Sequence, residues 1–86
     1  MPDITFTEKA WNEYLDWQKD KTVLNRINEL LKEIQRTPFH GTEKPEPLKH
    51  GNAGNWSRRI NAADRLVYRV SKEGIVILQC KGHYDG

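Results

Sequence analysis

The apolar residues change period once along this chain, and that switch limits the folds open to it. Ala10, Trp11, Tyr14, Leu15 and Trp17 recur at helical spacing, and Val23, Leu24, Ile27, Leu30, Leu31 and Ile34 do so more cleanly. Beyond residue 55 the period falls to two, over 56–61, 65–70 and 75–80. Helices first and strands afterwards, without alternation, predict an α+β fold. The chain has 86 residues, so 1–86 is read as one domain around one core.

Local signals sharpen the outline. Ile4 to Phe6 alternates like a short strand, and Thr7 offers an N-cap with Glu8 in the first helical turn. The first helix runs to about Asp20 and the second over 22–36, where Thr37-Pro38 ends it. So short a break predicts an antiparallel helical hairpin. Turns at Ala62-Ala63-Asp64 and at 71–74 make the three strands an antiparallel meander. The expected architecture is therefore an N-terminal strand and a two-helix hairpin packed on one face of an antiparallel sheet.

Strand alternation then sorts side chains by face. Trp56 and Ile60, Leu66, Tyr68 and Val70, and Val76, Leu78 and Cys80 form the expected core sets. Two helices cover one face only, so the other is expected to gather Arg59, Arg65, Arg69, Lys81 and His83. The strand around 75–78 is apolar on both faces and is expected at the centre. Between helices and strands, 37–55 holds three of the four prolines and three of the six glycines. A connection that long in a small domain is functional or disordered.

Composition narrows the class. Leu, Ile, Val and Phe supply 22% of the residues, just above the ~20% level under which disorder is the default. Eight aromatic residues, three of them Trp, add enough apolar area to favour a folded globule. One cysteine, Cys80, excludes an internal disulfide framework and suits a reducing compartment. No apolar run approaches the ~18 residues of a membrane span, and no signal peptide is expected after Met1-Pro2-Asp3, so the cytoplasm is the expected location. The net charge of +2 hides a balance of −2 over 1–47 and +4 over 48–86. Such a basic half suits phosphate backbones or an acidic protein segment, though charge alone fits a solvated surface equally well.

Few residues carry chemistry. Cys80-x-x-His83 lacks a second pair at metal-ligand spacing, so no metal site is expected, and Cys80 on a core-facing position reads as packing. Glu46, between Pro45 and Pro47, has a backbone restricted to extended conformations. By itself it reads first as a surface glutamate of a Pro-rich stretch; as a positioned carboxylate it would serve as a general base. His83 is a candidate proton donor or a frayed terminal histidine. Tyr84 suits stacking on a base or covering apolar surface, and Arg59 and Arg65 suit clamping a phosphate or decorating the sheet. Base, acid and two arginines together form a set for phosphodiester cleavage.

K-P-E-P-L-K-H at 44–50, W-S-R-R-I at 56–60, D-R-L-V-Y at 64–68 and H-Y at 83–84 resemble the YoeB-like toxins of the RelE superfamily. E-x-x-W-x-x-Y-x-x-W at 8–17, R-x-N-E-L-L at 26–31 and R-T-P-F at 36–39 extend the resemblance over nearly the whole chain. It implies a RelE-like fold and a bacterial toxin that cleaves messenger RNA on the translating ribosome without a metal or other cofactor. It further implies that Glu46 is the general base, Arg65 the transition-state stabiliser, and His83 and Tyr84 the acid and the substrate-orienting residue. Lys49 and Arg59 match RNA- and phosphate-binding positions. The implied partners are a cognate YefM-like antitoxin, the message on the ribosome and a second copy of the chain, with operator DNA reached only through the antitoxin complex. Asp85 and Gly86 extend past the usual terminal tyrosine.

Overall fold

The computed structural model describes residues 2–49 and 54–83. Strand β1 (Ile4–Phe6) leads into helix α1 (Glu8–Asp16), and a 3-10 turn at Trp17–Lys19 leads into helix α2 (Lys21–Arg36). Four strands follow: β2 (Glu46–Pro47), β3 (Asn55–Arg59), β4 (Arg65–Ser71) and β5 (Gly74–Gln79). Both helices begin on capped turns. The Thr7 hydroxyl accepts from the Ala10 N–H at 3.1 Å, and the Asp20 carboxylate accepts from the Val23 N–H at 3.2 Å.

The five strands form one sheet in the order β1-β5-β4-β3-β2. β2–β3, β3–β4 and β4–β5 pair antiparallel, but β1 joins β5 in parallel, with Ile4 opposite Ile75 and Phe6 opposite Ile77. The sheet is therefore mixed, with the meander as its antiparallel part. β5 is interior, one place from the centre, which β4 occupies. Glu46-Pro47, stiffened by Pro45 before it, becomes the far edge strand, where a missing proline N–H leaves no ladder bond unmade.

Ile27, Leu30 and Ile34 of α2 pack with Ala10 of α1 against Ile60, Leu66, Tyr68, Ile75, Ile77 and Cys80, all buried. At β5 this core departs from strict alternation. Ile75 and Ile77 face the helices, whereas Val76 and Leu78, expected there, do not belong to that core cluster. Pairing explains the reversal: Ile77 lies opposite Tyr68 but Gln79 opposite Val67, so β5 advances two residues while β4 advances one. That bulge around Leu78 resets the parity, and Cys80 beyond it returns to the core, as alternation from the C-terminal end requires.

Lys81 also departs from expectation. It pairs with Asp16 of α1 and lies 5.4 Å over the Trp17 ring, so it belongs to the helical side and not to the open basic face. Its neighbour Cys80 anchors the same region. The Cys80 N–H donates to Glu13 Oε1 at 2.8 Å, and Trp17 Nε1 donates to the Cys80 carbonyl at 2.7 Å.

Alternation also puts Arg58 on the core face, between Trp56 and Ile60, and it is fully buried. Burying a guanidinium is tolerable only when its donors are matched. Here Nη1 reaches Glu33 Oε1 at 2.9 Å, Nη2 donates to the Thr37 and His40 carbonyls, and Nε faces the Tyr68 hydroxyl at 3.3 Å. Tyr68 in turn donates to the Pro38 carbonyl at 2.6 Å. One arginine thus pins the start of the 37–49 connection to the sheet and to α2.

Candidate active site

On the sheet face away from α2, a cleft of about 270 Å³ is lined by Lys44, Glu46, Leu48, Ser57, Arg59, Arg65 and His83. Three stretches of chain meet there. β2 brings Glu46 opposite Ser57 of β3, so the edge strand sets the carboxylate beside the strand that carries Arg59. The next pairing places Arg59 directly opposite Arg65. The turn after β5 brings His83 back to the start of β4.

Hydrogen bonds fix that last junction. Asn61 Oδ1 accepts the N–H groups of Ala63 and Asp64 at 2.9 and 2.8 Å, a local turn built by a short amide side chain. Asp64 Oδ1 then accepts the Gly82 N–H at 2.7 Å, and the Arg65 N–H donates to the Gly82 carbonyl at 3.0 Å. His83 Nε2 sits 3.3 Å from the Ala62 carbonyl, which accepts when that nitrogen carries a proton. The two turns are thereby clipped together with the imidazole above them.

Arg65 is held by one nitrogen. Its Nη1 donates to the Asn61, Asp64 and Ala62 carbonyls at 2.7, 3.1 and 3.4 Å. Nε and Nη2 make no hydrogen bond among the described residues, so the opposite edge of the fork remains open to an anion. Arg59 is exposed, and its backbone N–H donates to the Glu43 carbonyl at 2.9 Å. Like charges directly opposite on one sheet face are destabilising, so the Arg59–Arg65 register concentrates positive charge at this end of the cleft. Among its described walls, Glu46 is the cleft's single carboxylate.

Of the sequence-derived site residues, the fold brings Glu46, Arg59, Arg65 and His83 to one cleft. Lys49 is exposed one residue past the buried Leu48 and is not among the described wall residues, and Tyr84 lies outside the described residues. Two wall residues escaped the sequence reading as site residues. Ser57 is buried opposite Glu46, and its strand position gave only its face. Lys44 stands two residues before Glu46 but outside β2 and at φ 50°, so strand alternation gives no signal for it. No group of three or more His, Cys, Asp or Glu side chains among the described residues is placed to hold a metal ion.

Residues 6–84 match the model of a family described as the YoeB-like toxin of bacterial type II toxin–antitoxin systems. The chain belongs to the YoeB-like toxin family. It is 49% identical over 82 residues to Toxin YoeB of Escherichia coli K12, covering 94% of this chain and 98% of that one. It is also similar to the YoeB dimer from Staphylococcus aureus, with a TM-score of 0.89, 46% identity, and 96% of this chain and 98% of that one covered. The YoeB–YefM complex from the same organism contains a chain with a TM-score of 0.88 and 44% identity, covering 98% of this chain and 99% of that one. The family match therefore spans both helices and β2 to β5, and begins at Phe6, the last residue of β1.

Proposed function

We propose that this YoeB-family toxin cuts messenger RNA on the translating ribosome by general acid–base catalysis, without a metal. The observation that carries the reading is the paired Arg59 and Arg65 flanked by one carboxylate and one imidazole in a single cleft. Glu46 takes the proton from a substrate 2′-hydroxyl, whose oxygen forms a bond to the adjacent phosphorus. Arg65 and Arg59 stabilise the charged phosphorane, and His83 protonates the 5′-oxygen as its bond to phosphorus breaks. The products are a 2′,3′-cyclic phosphate and a free 5′-hydroxyl. Tyr84 orients the substrate and Lys49 assists charge neutralisation, both on the strength of the family resemblance.

The partners follow from the same reading. The Staphylococcus aureus relative is found in complex with YefM, and a YefM-like antitoxin is the corresponding partner here. An acidic, partly apolar segment of that antitoxin would cover the basic cleft. Dimerisation is inferred from the relative described as a dimer, and operator DNA would be reached through the antitoxin. A ribosomal substrate places the protein in the cytoplasm. Primer extension on a translated message tests the proposal. Wild type is expected to give discrete new stops that survive chelation in ribosome-sparing conditions, and Glu46→Gln to abolish them. Equal stops with both proteins would leave the cleft as a binding surface.

A further inference from the structure

Glu43 and Lys44 are two consecutive non-glycine residues with positive φ, 63° and 50°. That region disfavours any residue with a Cβ, and Lys44 also precedes Pro45, which favours extended backbone at its position. Such strain persists only where surrounding contacts impose it. For Glu43 the contacts are evident. Its carbonyl accepts the Arg59 N–H at 2.9 Å, and its carboxylate pairs with Arg26 Nη1 of α2 at 3.3 Å. Lys44 has no such tie. Its side chain makes no hydrogen bond or ion pair among the described residues, yet it lines the cleft with Glu46, Arg59 and Arg65. A position whose backbone suits glycine carries instead a long cation facing the candidate active site.

Resting on the ribonuclease reading above, we infer that Lys44 is a substrate-binding residue that contacts a backbone phosphate of the messenger RNA in the cleft. The Arg26–Glu43 pair and the Arg59–Glu43 hydrogen bond hold the bend that aims it. An ammonium is a point charge on a flexible stem, suited to holding a phosphate in ground and transition states alike. Lys44 should therefore govern affinity and its salt dependence, not the chemical step.

The test uses Lys44→Gly, which suits the left-handed backbone and so spares the fold, and Lys44→Arg, which restores a cation. Single-turnover cleavage of a synthetic message on programmed ribosomes is measured against toxin concentration and monovalent salt. For Lys44→Gly the half-saturating concentration is expected to rise about 5- to 10-fold, and the maximal rate to stay within about twofold. The slope of log affinity on log salt should shrink by about 0.7, the share of one single-strand phosphate, and Lys44→Arg should recover most of both. Binding to a short ribosome-free RNA carrying a 2′-deoxy cut site should weaken in parallel, which separates message from ribosomal RNA. An unchanged half-saturation and slope, a fall in maximal rate alone, a loss confined to the ribosome, or Lys44→Arg behaving as Lys44→Gly would each overturn the assignment. If wild type cuts and Glu46→Gln does not, such a result removes Lys44 only; if wild type does not cut, the ribonuclease reading itself falls.

Discussion

Glu46 owes its position to flanking prolines and to the two-residue strand they form against Ser57 and Trp56. Because the backbone carries the positioning, Glu46→Gln is expected to fold normally and to slow single-turnover cleavage by about 10²–10⁴-fold, with a similar loss for His83→Gln. If both variants cut at the wild-type rate, the acid–base assignment is wrong. Cys80 illustrates the opposite case, a reactive residue type made inert. Burial pushes its thiol up to about 12, and the sulfur faces the Ala10 carbonyl. Native protein should resist alkylation at pH 8 for as long as it stays folded, whereas urea-unfolded protein should react within the ordinary time of a free thiol. Rapid labelling of the native state would contradict this burial.

At the scale of elements, the turn between β4 and β5 decides whether β1 can join the sheet. Gly74 has φ +138°, and a Cβ there would lie 2.6 Å from the Asp3 carbonyl oxygen. That same oxygen accepts the Ile75 N–H at 2.8 Å, the first bond of the parallel pairing. Gly74→Ala must therefore strain the turn and push β1 away together. A loss of roughly 1–3 kcal/mol is expected, read as a lower urea midpoint, with amide protection lost first at the β1–β5 pairing. Protection lost evenly over the whole sheet would argue against this local account. The bulge near Leu78 acts at the same scale: one extra residue in β5 lets Ile77 and Cys80 both face the helices while His83 keeps the side of Arg65.

Across the molecule, the Glu33–Arg58 pair joins α2, the 37–49 connection and the sheet. The Thr42 backbone N–H, then its hydroxyl, then Arg58 hold the Glu33 carboxyl below the usual carboxylate range, against a partial desolvation. A carboxyl held low in the folded state adds stability that is complete above its unfolded value and is lost as pH falls through its folded value. The urea-midpoint advantage of wild type over Glu33→Gln should accordingly be constant above about pH 5.5 and shrink below about pH 4.5. An advantage independent of pH down to the acid limit would show that packing, not charge, is what Glu33 contributes. Arg58→Met should be costlier at neutral pH, about 3–5 kcal/mol, because it leaves Glu33 and the Thr37, His40 and Thr42 carbonyls without their buried donor. Since the connection then loses its anchor, cleavage should fall alongside stability.

Sequence by itself determined the two helices, the Thr7 cap of the first, the meander and the sharing of one face by Arg59, Arg65 and His83, whereas the Asp20 cap of the second helix emerged only with the fold. Each of the former depends on neighbours within a few residues or on a strict repeat, so periodicity carries it. Tertiary structure decided the rest. The parallel docking of β1 on β5 joins segments about seventy residues apart, and no local signal specifies that partner. The bulge in β5 breaks a two-residue repeat that alternation can only extend unbroken, which is why strict alternation puts Ile77 and Leu78 on the wrong faces. Lys81 left the basic face because Asp16 and Trp17 of the helical layer stand beside it. Arg58 was legible as a core-face residue, yet the carboxylate and carbonyls that make its burial tolerable come from a helix and a connection up to twenty-five residues away. Charge can be read from a sequence, but whether a charge is solvated, paired or aimed at a substrate depends on which distant groups the fold sets against it.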